Sequence, residues 1–347
     1  MMLESIWFVL WGVLWAVYFM LDGFDLGVGS LLPILGKTET DRRIMINTLG
    51  PFWDGNEVWL ITAGGVTFAA FPTTYAVLFS SLYTPLMMLL FALILRGVAF
   101  EFRGKEDSPR WRAIWDACIV VGSFVPALLL GVAFANIFKG IPIDADGFNQ
   151  GNLLTLLNPY GLMGGLLFVL LFLTHGCLWL SLKTEGDLQR RAAALAKVLW
   201  LPLLFAAVLF LVSTWFSTRL YDNYVKNPLM FVVPLALIPL SAVGGLVMIR
   251  MFIGKQEWFK GWVASAVTIV AATLFGVVGL YPNMLPSTIN PNFNLTIHNS
   301  ASSPLTLKIM LGVALTFVPV VIAYQIWVYH LFRGKVREED LVYDESY

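Results

Sequence analysis

Apolar runs of roughly the 20 residues a spanning helix needs recur along the chain at 6–32, 51–71, 74–101, 113–138, 158–182, 198–219, 229–252, 261–281 and 305–332. Polar residues collect between them. The pattern predicts an all-α integral membrane protein with nine transmembrane helices in a single domain over residues 1–347. Paired glycines at Gly64-Gly65, Gly164-Gly165 and Gly244-Gly245 fall in the second, fifth and seventh runs, where small residues let helices approach. Their recurrence hints at two four-helix units plus one additional helix.

Composition agrees. With 58% hydrophobic and 13% charged residues the chain lies far from soluble domains, in which about a quarter of residues are charged. Formal net charge is zero, which gives no reason to expect a nucleic-acid partner. Placement of charge says more than its sum. Eighteen of the 22 Lys and Arg residues lie in the closing part of odd-numbered runs or after them, and only Lys139, Arg219, Lys226 and Lys308 fall on the other side. The positive-inside rule then puts the N-terminus outside and the C-terminus in the cytoplasm. Glu4 precedes the first run with no basic stretch before it, so that run reads as a retained span rather than a signal peptide.

Four carboxylates interrupt the apolar pattern: Asp22 and Asp25 in DGFD, Asp54 and Glu57 in DGNE. Each costs roughly 2.5 to 3.5 kcal/mol to insert, so four together mark a site for protons or cations. Residues three apart share a helix face, and a short hairpin from Gly36 to Gly50 brings the two acidic stripes together near the cytoplasmic edge. Gly23, Gly27, Gly29 and Gly55 favour close helix packing around them. A plainer reading makes Asp54, just after Pro51, a partner for a helix N-terminal dipole. Arg96, Glu101 and Arg103 close the third run as an interfacial anchor with a local ion pair, or else Glu101 and Asp116 extend a polar entry. Trp53 stands out within the densest polar motif, whereas most other tryptophans, including Trp7, Trp11 and Trp15, read as interface-belt or lipid-facing residues.

The remaining candidates are weak. His175, His298 and His330 are expected in structural or surface roles, since a six-coordinate haem needs two facing ligands at one depth. Cys118 and Cys177 read as small core residues. Asp144 to Gly147 reads as an ordinary turn lacking the remaining ligands of an EF-hand, and the segment 282–304 shows no helical period. No phosphate loop, dinucleotide fingerprint, HExxH motif or Ser/His/Asp set is present. From residues alone, a proton- or cation-coupled stand-alone transporter and a subunit of a proton-consuming complex both stay open, with a structural partner whose acids position lipid or quinone as a third reading.

DGFDLGVG, RRIMINTLGPFWDGNEVWLITAGG, RGVAFEF, RWRAIWDACIVVGSFVPALLLGVAFAN and MLPSTINPNFNLTIHNSASSPLTL, in this order over nearly the whole chain, resemble subunit II of cytochrome bd-type quinol oxidases. The resemblance implies a bacterial cytoplasmic (inner) membrane protein with nine helices, paired with a cytochrome bd subunit I and in some cases with small accessory subunits. Haem b and haem d are then held by or shared with subunit I, and none by this chain alone. The complex oxidises quinol and reduces dioxygen to water, building proton-motive force without pumping. The resemblance implies proton delivery through Asp25 and Asp54, with Trp53 near the partner's haem. Glu57 joins them as an added acid, and Asp22 and Glu101 as relay or entry candidates. Some members carry His at the position of Phe52 and Gln at that of Glu57, so a role for that His does not transfer.

Overall fold

The computed structural model describes residues 2–226 and 236–342. Its centre is one long helix, α1 (Met2–Leu35). Around α1 pack α3 (Trp53–Ala70), α6 (Pro109–Lys139), α8 (Pro159–Lys183) and α12 (Trp258–Leu280). Outside these stand α2 (Glu39–Asn47), α4 (Pro72–Ser81), α5 (Tyr83–Phe102), α9 (Gly186–Ser217), α11 (Ala236–Lys255) and α13 (Pro304–Leu331), with short α7 (Leu153–Leu156) and α10 (Leu220–Lys226) in the connections. From Leu21 to Leu32 every residue of α1 is buried. That burial depends on small residues: a Cβ on Gly27 would strike the backbone of Phe172 and come within 3.2 Å of the Gly176 Cα, so α1 and α8 touch almost backbone to backbone.

Among the described residues, seven helices are long and apolar enough to cross a membrane. The two other expected spans correspond to α3, whose first turns carry Asp54, Asn56 and Glu57, and to α11. The first residues of the expected 229–252 run lie outside the described residues. Two boundaries differ from the pattern. The 74–101 run is interrupted at Leu82, because Pro85 has no N–H to give the Ser81 carbonyl, and Asn149 Nδ2 reaches that oxygen instead at 3.5 Å. Helix α9 begins at Gly186, well before residue 198, so Arg190, Arg191 and Lys197 ride on a helix. Leu188, Ala192 and Ala196 are buried there at four-residue spacing, an amphipathic start that an average over hydropathy hides.

The two ends of the bundle differ chemically. At one end Arg103 donates to both oxygens of Glu39 (2.8 and 2.9 Å) and to Asp116 (2.5 Å), which Arg42 also meets at 2.7 Å. Arg191 pairs with Asp41 at 2.8 Å. At the other end Asn283–Leu285 (β1) pairs antiparallel with Leu295–Thr296 (β2), giving 282–304 regular structure of its own. Asn294 there accepts from the Ser287 N–H at 2.8 Å.

The tryptophan expectation is corrected. Among the described residues only Trp215 and Trp327 are exposed, Trp7, Trp11, Trp59 and Trp179 are buried, and the others are half-buried. Trp7 donates to the Leu307 carbonyl, Trp11 to Thr67 and Trp59 to Gln325, at 2.9 to 3.0 Å, so their indole N–H groups tie helices together inside the bundle.

Candidate functional site

The DGFD segment lies in the fully buried stretch of α1, and Asp22 and Asp25 are both 0% exposed. Opposite them, the DGNE segment opens α3. The hairpin through α2 that returns the chain is fixed by a capping box, in which Thr38 accepts from the Asp41 N–H at 3.0 Å and Asp41 accepts from the Thr38 N–H at 3.1 Å. The third contributor is α5. A Cβ on Gly122 of α6 would meet the Ala92 carbonyl oxygen at 2.6 Å and the Arg96 backbone nitrogen at 2.9 Å, so glycine lets α6 press α5 and its Arg96 against α1.

Two linked sets of contacts result. Arg96 Nη2 donates to Asp22 Oδ1 at 2.9 Å and to Glu57 Oε2 at 3.0 Å. Arg96 is itself 0% exposed. One turn along α1, Asn56 Nδ2 donates to Asp25 Oδ2 at 2.7 Å, while the Tyr329 hydroxyl of α13 donates to Asn56 Oδ1 at 3.0 Å. Gln325, also on α13, accepts from Trp59 and donates to the Gly55 carbonyl at 3.1 Å. Four helices thus converge on Asp22, Asp25 and Glu57. Asp22 Oδ2, Asp25 Oδ1, and Arg96 Nε and Nη1 are buried without a hydrogen-bond partner, an expensive arrangement, since each such atom costs about 1 to 3 kcal/mol.

The expected residues are therefore only partly brought together. Asp22, Asp25 and Glu57 form the cluster. Asp54 instead lies exposed on the surface of α3, and Glu101 is exposed at the end of α5. The stripe on α3 is split, because Glu57 turns inward and Asp54 outward. Trp53 is half-buried, packed on Phe100 with ring centroids 5.4 Å apart. Asp116, clamped by Arg42 and Arg103, ties α6 to α2 and to the turn that follows α5. Arg96, which the sequence presented as an interfacial anchor, is the cation at the centre. Its signal was a lone basic residue amid the apolar stretch from Leu86 to Phe100.

One of the three histidines is buried and engaged, and the other two are exposed. His175 has both ring nitrogens engaged, Nδ1 with Ser265 Oγ at 2.6 Å and Nε2 with the Met20 carbonyl at 3.0 Å. His298 and His330 are exposed, and Arg333 donates to the His330 ring. Cys118 and Cys177 are free thiols.

The family model of cytochrome bd terminal oxidase subunit II matches residues 3–332. The chain is 38% identical over 339 residues to cytochrome bd ubiquinol oxidase subunit 2 of Bacillus subtilis, covering 97% of this chain and 98% of that one. It is 36% identical over 370 residues to cytochrome bd-I ubiquinol oxidase subunit 2 of Escherichia coli K12, covering 98% and 96%. In fold it is similar to a chain of the bd oxidase from Geobacillus thermodenitrificans, with a TM-score of 0.74 at 20% identity over 96% of this chain and 99% of that one.

Proposed function

The chain belongs to the cytochrome bd terminal oxidase subunit II family, and from that premise we propose that its buried carboxylates deliver protons to the partner subunit. It is a subunit of a terminal quinol oxidase complex, a multi-pass bacterial inner-membrane protein that works beside a subunit 1 in an assembly containing haem. The finer reading is ours. Nine crossings put the basic-rich end in the cytoplasm. Haem b and haem d reside in subunit I, which oxidises the quinol, and accessory subunits and lipid complete the assembly.

The observation that carries the proton role is the Asp22–Arg96–Glu57 bridge beside the Asp25–Asn56–Tyr329 chain. Asp22 and Glu57 share one guanidinium and Asp25 lies one turn away, so the set of three carboxyl groups and one cation is electrically neutral when two of the three hold protons. A cluster of that kind stores protons and passes them on, because a second buried negative charge would be costly in a medium of low dielectric. Asp54, exposed one turn before Glu57, serves as the way in or out of this store. Trp53 beside it faces the haem region of the partner, and Glu101 marks an entry at the end of α5. The bound haem supplies the electron chemistry of dioxygen reduction, while this chain holds and moves protons at Asp22, Asp25 and Glu57.

The test is Asp54→Asn in the assembled complex. The expected result is slower quinol-driven oxygen uptake with subunit I and the haem absorbance retained, and unchanged turnover would remove Asp54 from the route. Family membership leaves the stand-alone transporter without support.

A further inference from the structure

We propose that a second site, at the β-hairpin end of the bundle, binds the phosphate-bearing headgroup of an anionic phospholipid. A cavity of about 530 Å³ opens there between the end of α6, the junction of α9 with α10, and the segment following β1. Lys139, Arg219 and Lys226 all line it, and among the described residues no carboxylate does. These are three of the four basic residues in the chain that lie away from the basic-rich end.

Their state contrasts with that of the arginines that tie the helices together. Arg42, Arg96, Arg103 and Arg191 are each paired with a carboxylate. Lys139, Arg219 and Lys226 make no ion pair among the described residues, and Asp222, though on α10, is not in the lining. Asn223 and Lys226, three apart, share one face of α10, and Arg219 stands immediately before its first residue. Like charges gathered around one concavity repel each other, and an anion seated between them reverses the sign of that interaction. Ser217 and Thr288 add hydroxyl groups suited to phosphate oxygens, while the hydroxyls of Thr218 and Ser287 donate to the carbonyls of Thr214 and Ile143.

The surroundings select a lipid over a soluble phosphate. Beside the cavity Trp215 is 65%, Phe216 81% and Val225 71% exposed, an apolar flank that acyl chains would cover and free phosphate would leave bare. Basic pockets between membrane helices hold anionic headgroups at the cytoplasmic face by charge, and the same attraction acts at this opposite end.

The experiment is native mass spectrometry of the purified complex released from nanodiscs of phosphatidylcholine containing a minor fraction of phosphatidylglycerol. Wild type is expected to retain phosphatidylglycerol in preference to phosphatidylcholine. The Arg219→Gln/Lys226→Gln variant should retain about tenfold less or lower still, while Arg219→Lys/Lys226→Arg, with charge preserved and haem absorbance unchanged, keeps it. Equal retention by wild type and the Gln variant would overturn the proposal. So would the absence of any preference in wild type, a result that needs no variant to fold. Inorganic phosphate displacing the lipid as readily as glycerophosphoglycerol does would also overturn it, assigning the cavity to soluble phosphate.

Discussion

Arg96 and Asp22 form an ion pair 2.9 Å long in which neither side chain is exposed at all. The same Arg96 nitrogen holds Glu57 at 3.0 Å, so a single guanidinium nitrogen joins α1, α3 and α5. A pair this deep contributes little net stability over an apolar replacement of the whole set, but removal of one partner strands the other's charge, at about 3 to 5 kcal/mol. Arg96→Met is therefore expected to lower the thermal stability of the complex sharply, and adding Asp22→Leu should restore part of it. Equal stability of wild type and the single variant in a melting curve would contradict this account.

Gly122 holds Arg96 in place. An Ala there meets backbone atoms of Ala92 and Arg96 within 3 Å, and backbone cannot move aside as a flexible side chain does. Gly122→Ala should cost about 1 to 3 kcal/mol as overpacking and reduce oxygen uptake by moving α5 off Asp22. Ala at Gly65, which has nothing within 4 Å, is the control and should change neither.

Lys183 is a latch at the basic-rich end. Its ammonium donates to the carbonyls of Phe332 and, at 2.8 Å, of Gly334, and it lies 5.4 Å from the centroid of Phe52 and 5.3 Å from that of Trp179. Lys183→Met should free the segment after α13. Limited proteolysis near Arg333 to Arg337 would then be faster in the variant, with resistance equal to wild type as the contrary result.

Glu39 sets an acid limit. Partial burial raises its carboxyl pKa, but the hydrogen bond and charge of Arg103, with Arg112 and Arg42 beyond, outweigh this and hold it below the ordinary value of 4.5. A folded-state pKa below the unfolded one contributes stability above about 4.5 that is lost as pH falls through the depressed folded value. Melting temperature should thus drop less steeply on acidification below 4.5 in Glu39→Gln than in wild type. Parallel curves would show that Glu39 carries no such linkage.

Much of this was legible in the chain, and the failures share a cause. Run lengths located most helices, and the DGFD and DGNE spacings located three of the buried acids because an ionisable residue in an apolar run is conspicuous on its own. What hydropathy cannot report is the direction in which a side chain points within the bundle. Asp54 and Glu57 are equally polar and one turn apart, yet one faces out and the other in. Arg96 looked like an edge residue because it lies near the end of its run, whereas three-helix packing at Gly122 buries it. Trp7 and Trp11 looked lipid-facing for lack of any sign of their acceptors, Leu307 and Thr67, about 300 and 56 residues away.

The central claim is that the buried cluster carries protons for oxygen reduction. It is tested most directly by time-resolved proton uptake, read with a pH dye, after oxygen is mixed with the fully reduced complex in detergent, comparing wild type with Asp25→Asn and Glu57→Gln. Uptake is expected to slow at least about a hundredfold in Asp25→Asn, the lower end of what a positioned proton-transfer group contributes, and to a lesser degree in Glu57→Gln, with haem content and the initial oxygen-binding phase unchanged. Uptake at the wild-type rate in both variants, with the complex intact, would contradict it.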